Sequence, residues 1–191
     1  MRTKLFLILF LLLPSVCFGA ITEGTNAGFV TVAPTDDPAG TNNTKDTNTI
    51  ACKFVAPASA TAITALGWYC DNATEAANFQ IGLYAHDAGD NEPGALLVNS
   101  GDIAKGTTAG WKSASVSLAI TGGITYWIAV QLDNTATATS DNESVNASYK
   151  KDFKDTETAL VDPWGISDAT AGKIMAYYAV YTTGSQVIFI E

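Results

Sequence analysis

The chain offers few residues for nucleophilic or acid–base catalysis. His86 is the only histidine among 191 residues, and neither a Gly-x-Ser-x-Gly elbow nor an HExxH motif occurs. A carboxylate pair that hydrolyses a glycosidic bond needs only two acids at a fixed separation, so this chemistry stays open. Nearly all the acids, however, lie in stretches rich in Gly, Asn and Thr, where solubility accounts for them. We therefore predict a protein without enzymatic activity.

One turn between predicted strands carries oxygen ligands that suit calcium, which binds about six to eight oxygens. Four such residues follow one another along this Gly- and Pro-containing turn: Asp87, Asp90, Asn91 and Glu92. Asp36 and Asp37 form a second acidic cluster. The spacing differs from that of an EF-hand loop, and turns favour Gly, Pro, Asn and Asp in any case. Calcium at the four residues is thus a prediction that competes with an ordinary solvated turn.

Aromatic side chains could stack on the apolar faces of sugar rings, with amides and carboxylates beside them. Successive side chains of a strand point to opposite faces, and this alternation directs Tyr84, Trp127 and Gln131 outward on strands that could be neighbours. Trp111 lies at the start of a strand, and Trp164 lies in a loop. These five residues are the predicted glycan-binding set. The alternative is that a long loop buries Trp127, since tryptophan is highly buried on average.

Cys17 lies in an apolar N-terminal segment, which leaves Cys52 and Cys70 as a pair. An even number of cysteines in an exported protein favours a disulfide. If residues 50–56 and 62–70 form a hairpin, Cys70 lies about 13 Å along the strand from the residue opposite Cys52. A bridge tolerates a Cα separation of only ~7 Å. A disulfide therefore requires the two strands to lie in different sheets, and two buried thiols are the alternative.

Short strands are the elements that would position these residues. Between residues 79 and 132, alternating runs and turn sequences follow one another: FQIGLYA, HDAGDNEPG, ALLVNSGDI, GWKSASVSL and TGGITYWIAVQL. Such runs are typical of consecutive antiparallel strands. About nine or ten strands at short spacings predict an all-β protein, an antiparallel two-sheet β-sandwich. Ile81, Val116 and Ile128 face inward in this interpretation, while the polar stretches 35–48 and 133–144 predict exposed loops.

The N-terminus has the order of a secretory signal peptide. Arg2 and Lys4 precede a short apolar run, and the small residues Cys17 and Gly19 lie at the third and first positions before the predicted cut. The run is shorter than the about 20 residues that a membrane span needs. We predict cleavage after Gly19, which separates a signal peptide over 1–19 from a single domain over 20–191. No membrane insertion is expected once the signal peptide is removed, and the product is secreted or lies on the cell surface.

The charge of the predicted mature chain argues against anionic partners. It carries eight lysines, no arginine and 19 acidic residues, a net charge of −11. Without the guanidinium fork and with a negative field, binding to nucleic-acid phosphates or anionic membranes is disfavoured. We therefore expect no nucleic-acid partner.

The run from 50 to 181 resembles exported bacterial and phage-associated jelly-roll modules, most of them of unknown function. The matching pieces are ACKFVAPASATAITALGWY, FQIGLYAHDAGDNEPGALLVNSG, AGWKSASVSLAITGGITYWIAVQL, and DPWG followed by IMAYYAVYT. The resemblance implies a jelly-roll-like sandwich and a carbohydrate-binding-module-like accessory role on cell-surface, polysaccharide-acting or virion proteins. Its motifs specify the fold far better than the function.

These patterns predict a non-catalytic binding or adhesion module with a polysaccharide or cell-surface glycan as ligand. The alternative is a self-assembling structural subunit of an extracellular filament or surface assembly, which pairs through an edge or terminal strand. Residues 20–33 and 187–190 are the candidate strands for such pairing. The association state of the mature protein separates the two functions.

Overall fold

The computed structural model describes residues 20–44, 48–71, 75–133, 138–144 and 150–184. Within these ranges the chain is all-β and forms two sheets that pack as a sandwich, which confirms the predicted fold class. This part of the chain contains no helix long and apolar enough to cross a membrane. The predicted signal peptide and the candidate strand at 187–190 lie outside the described residues.

Among the described residues, seven strands belong to each sheet. Sheet 1 contains β1 (Gly28–Val30), β2 (Thr41–Thr44), β4 (Ala60–Cys70), β8 (Gly110–Ala119), β10 (Thr139–Ser144), β13 (Lys173–Met175) and β14 (Tyr177–Thr183). Sheet 2 contains β3 (Thr49–Val55), β5 (Asn78–Asp87), β6 (Glu92–Asn99), β7 (Ile103–Ala104), β9 (Thr125–Leu132), β11 (Lys151–Lys154) and β12 (Ala169–Ala171).

Sheet 1 is built around β4, which pairs with β14 on one side and with β8 on the other. β10 meets the end of β4 and pairs with β2 and β13. In sheet 2, β9 lies between β3 and β5; β6 and β7 pair with β5, and β11 and β12 extend the sheet beyond β3. The predicted antiparallel pairing holds for every described strand pair except β1–β14, which is parallel.

The main core lies between the sheets and is built from the side chains that the alternation directs inward. Ile81 and Ile128 are fully buried there, and Val116 packs against the same core. Trp68 and Phe79 meet edge to face, with ring centroids 5.8 Å apart. Because burial contributes about 25 cal/mol per Å² of apolar surface, this layer is the main source of stability.

Both polar stretches that predict loops contain strands. Residues 35–48 include β2, and residues 133–144 include β10, on which Ser140, Asp141 and Asn142 are buried rather than exposed. The prediction of exposed loops is wrong here because backbone hydrogen bonds to neighbouring strands hold a polar sequence extended.

The strands that carry Cys52 and Cys70 lie in different sheets, so the hairpin considered from the sequence does not form. Both cysteines are buried in the main core, and the structure holds them as thiols rather than as the predicted disulfide. The Sγ atom of Cys52 lies 3.7 Å from the carbonyl oxygen of Lys173. Two buried thiols, the alternative interpretation, describe the structure.

Candidate functional site

The outer face of sheet 2 carries most of the predicted glycan-binding set. Tyr84, Trp127 and Gln131 point away from the main core, as alternation predicts, and Trp164 meets this face from a loop. All four side chains are at most 1% exposed. The loop that covers them joins β11 to β12 and is here called the covering loop (residues 155–168). The prediction of an accessible aromatic platform is therefore wrong for these four residues, and the burial of Trp127 under a loop is confirmed.

The covering loop and the sheet form a second, smaller core. Tyr84, Trp127 and Trp164 pack there with Leu160, and the rings of Tyr84 and Trp164 meet edge to face at 5.3 Å. The hydroxyl of Tyr84 donates to the carbonyl oxygen of Val161 at 2.7 Å. Polar groups that could have contacted a sugar thus fasten the loop instead.

The covering loop also satisfies backbone groups of β6. The carboxylate of Asp162 accepts the N–H of Leu96 at 3.0 Å, and the N–H of Trp164 donates to the carbonyl of Gly94, also at 3.0 Å. Gln131 contributes from β9, since its amide nitrogen donates to the carbonyl oxygen of Glu157 at 2.9 Å. These contacts give the predicted binding residues of sheet 2 a structural role.

A buried ionic network borders the second core. The Nζ atom of Lys150 lies 3.2 Å from Asp152 Oδ2 and 4.0 Å from Glu92 Oε1, and it donates to the carbonyl of Asn91 at 2.6 Å. Asp152 is fully buried, and its contact with Lys150 is the shorter of the two ion pairs. Burial raises the pKa of Asp152 to about 6, against the lowering effect of Lys150.

The structure gives His86 a structural role. Its Nδ1 atom accepts the indole N–H of Trp127 at 3.1 Å. Burial lowers the pKa of His86, and the positive charge of Lys53 lowers it further. The hydrogen bond between a neutral imidazole and the buried Trp127 accounts for the position of His86.

The acidic turn predicted to bind calcium joins β5 to β6 as expected. Asp87, Asp90 and Glu92 line a shallow cleft of about 230 Å³, next to the exposed Ile166. Among the described residues, no group of three or more histidine, cysteine, aspartate or glutamate side chains is arranged to hold a metal ion.

Several oxygen atoms of this turn already accept hydrogen bonds. Asp87 Oδ1 accepts the N–H of Gly89 at 2.8 Å, which is the pattern of an Asx turn. The amide oxygen of Asn91 accepts from Lys53, and Glu92 Oε2 accepts a backbone N–H of the covering loop. An ordinary turn thus accounts for these residues, and calcium at this position stays a prediction.

Trp111 is the one member of the predicted glycan-binding set that is partly exposed. It lies on the outer face of sheet 1, where its ring meets Tyr69 and Tyr178 edge to face at 5.2 and 5.3 Å. Its indole N–H donates to the carbonyl oxygen of Asp36 at 2.9 Å. Tyr69 was not in the predicted set, although the alternation that turns Trp68 inward also turns Tyr69 outward.

A cleft of about 510 Å³ lies beside this aromatic cluster, because Asp36 belongs to both. Its wall consists of hydroxyl, amide and carboxylate side chains with some apolar ones. The polar residues are Thr22, Thr25, Asn26, Thr35, Asp36 and Asp37. Burial raises the pKa of Tyr69, and its hydrogen bond to Asp37 raises it further, so the phenol stays protonated. This place is here called the Trp111 cleft. Its wall carries the exposed Asp36 and Asp37, and Trp111 lies beside it, hydrogen-bonded to the backbone of Asp36.

Asp141 supports the segment that forms this wall. Its Oδ2 atom accepts the N–H of Gly40 at 3.0 Å, whereas its buried Oδ1 atom has no hydrogen-bond partner. Burial raises the pKa of Asp141, and the negative charges of Asp71 and Asp37 raise it further. Asp141 of β10 therefore holds the segment before β2 in place.

Comparison with known protein families, with curated proteins and with solved structures finds no match to this chain.

Proposed function

We propose that the chain is a non-catalytic recognition domain, secreted or held at the cell surface, that binds a glycan in the Trp111 cleft. The observation that carries the proposal is a partly exposed indole that donates a hydrogen bond to the backbone of Asp36, a residue that lines a polar cleft together with Asp37. Carboxylate and amide groups hydrogen-bond sugar hydroxyls, and an indole covers the apolar face of a sugar ring.

The N-terminal pattern of a signal peptide supports the proposed location. The resemblance to jelly-roll modules supports the finer topology and an accessory role at a cell surface or on a virion. The proposal moves the ligand from sheet 2 to sheet 1, because the covering loop occupies the outer face of sheet 2. Of the five residues predicted from the sequence to bind a glycan, Trp111 alone remains a proposed binding residue.

Affinity electrophoresis of the mature protein on a panel of soluble polysaccharides tests the proposal. We expect at least one polysaccharide to retard the protein, and Asp36→Ala to remove the retardation, since this exposed side chain lines the cleft. Asp90→Asn is the matched control, because it removes an exposed carboxylate elsewhere. Equal retardation of the Asp36→Ala variant and wild type, or no retardation on any polysaccharide, would contradict the proposal.

A further inference from the structure

A lysine and a buried asparagine meet at one end of the main core, on two neighbouring strands of sheet 1. Among the described strands, β13 pairs with β10 alone. Asn142 of β10 lies opposite Met175 of β13, and Lys173 lies two residues before Met175, so both side chains are on the face that Met175 turns to the main core. Diagonal neighbours of this kind, about 7–8 Å apart, are within reach of a long side chain.

These two side chains are in direct contact. The Nζ atom of Lys173 donates to Asn142 Oδ1 at 2.9 Å, and Asn142 is only 1% exposed. Within the part of the chain that the structure describes, no carboxylate forms an ion pair with Lys173. The carbon of the amide is one bond away from the oxygen that Nζ contacts, and rotation of the amide plane presents this carbon to Nζ. An amine held against a carboxamide can form an amide bond with it, because fixed proximity replaces a bimolecular encounter.

A second lysine beside this pair can accept the proton that makes Lys173 unreactive. Lys151 of β11 lies opposite Cys52, and the Sγ atom of Cys52 is 3.7 Å from the carbonyl oxygen of Lys173. Lys151 is 2% exposed. Burial and, to a smaller extent, the positive charge of Lys173 lower the pKa of Lys151 to about 8. The neutral amine of Lys151 is therefore populated near neutral pH, next to the lysine that contacts the amide.

We propose that Lys173 and Asn142 form an intramolecular isopeptide bond that joins β13 to β10. Lys173 gives its ammonium proton to Lys151, and the neutral Nζ atom attacks Asn142 Cγ. The Nζ–Cγ bond forms, the Cγ–Nδ2 bond breaks, and the nitrogen leaves as ammonia with a second proton from Nζ. The reaction consumes no oxidant, reductant or further substrate. Because β13 has only three residues, the bond adds a covalent link where the backbone supplies few hydrogen bonds.

Mass spectrometry of the purified protein tests for this bond. We expect the intact mass to be lower, by one ammonia molecule, than the mass calculated from the sequence. Trypsin applied after denaturation should not cut after Lys173, and peptides 113–150 and 155–191 should be recovered as one linked species. The full calculated mass would overturn the proposal. A loss of ammonia without the linked species would also overturn it, since it would indicate an asparagine that has cyclised on the backbone.

Lys173→Arg and Lys154→Arg form a matched pair of variants, because both keep a positive charge. We expect Lys154→Arg to keep the ammonia loss and Lys173→Arg to abolish it, since a guanidinium stays protonated and does not attack the amide. Persistence of the loss in Lys173→Arg would contradict the proposal. Lys151→Gln should lower the linked fraction, at a fixed time after purification, at least about tenfold; an unchanged fraction would overturn the proposed proton route. Glycan binding does not enter these measurements, so their outcome is separate from that of the recognition function.

Discussion

Asp152 is the residue where burial and charge oppose each other most directly. Its carboxylate is fully buried beside Lys150, and burial has the larger effect, since the pKa rises to about 6 instead of falling below 3.8. Trp127 and His86 lie next to this network, through the contact of Lys150 with the indole at 5.7 Å. At the residue scale, the outer face of sheet 2 is therefore a packed polar and aromatic structure, not a binding surface.

Because the pKa of Asp152 is raised, this group makes the free energy of unfolding fall as the pH rises. Between the unfolded value of 3.8 and the folded value of about 6, the folded chain keeps a proton that the unfolded chain has lost. Stability from this group is therefore complete below pH 3.8 and is lost as the pH rises through about 6. The loss is at most about 3 kcal/mol by pH 7.

We expect Asp152→Asn to increase the free energy of unfolding at pH 7, by up to about 3 kcal/mol, and to change it little at pH 4. Urea unfolding at both pH values measures this, with Asp90→Asn as the exposed control. His86 acts in the opposite direction in both proteins, since its lowered pKa removes stability as the pH falls below 6.5. A variant with the same pH dependence as wild type would show that Asp152 is not the titrating group.

The covering loop is the element that decides what sheet 2 can do. It buries an aromatic face, caps β6 and receives hydrogen bonds from Tyr84 and Gln131. A loop of 14 residues without regular structure is held mainly by its anchors, of which Trp164 is the largest fully buried one. The second core should therefore be able to open without loss of the main core.

We expect Trp164→Ala to release the covering loop, at a cost of about 3–5 kcal/mol to the second core. Limited proteolysis should then cut within residues 155–168, and acrylamide should quench Trp127, while circular dichroism keeps its β-sheet signal. Ile166→Ala is the control in the same loop, because this side chain is 84% exposed and its removal should cost less than about 0.5 kcal/mol. Equal cleavage of the two variants would contradict the anchoring role.

At the scale of the whole molecule, segments outside the strands cover parts of both sheets in the described chain. The covering loop occupies the outer face of sheet 2, and residues 36–40 fasten across one end of sheet 1 through contacts with Trp111 and Asp141. The Trp111 cleft is the feature to which we assign the ligand.

The packing of the two sheets also places both thiols out of reach of solvent. We expect Cys52 and Cys70 to resist a thiol reagent in the native state and to react after denaturation without a reductant. The physical reason is burial, since both side chains lie in the main core. Failure of these two cysteines to react in the denatured sample would show that they form the bridge that the structure lacks.

Alternation of residue types predicted the sheets better than it predicted the sites. The inward positions of Ile81 and Ile128 and the outward positions of Tyr84 and Trp127 were correct, because a strand has a period of two wherever it lies. The strand β10 was missed because its residues are polar, and its extended conformation depends on partners distant in the sequence.

The sequence by itself determined the fold class, the two faces of each long strand and the local turn at Asp87, because these follow from side-chain alternation and backbone preferences. Only the tertiary structure decided which outward faces meet solvent. The alternation directs both Trp127 and Trp111 outward. A loop distant in the sequence buries Trp127, whereas Trp111 stays partly exposed beside a cleft. Burial depends on contacts between distant segments, and a local pattern carries no information about them.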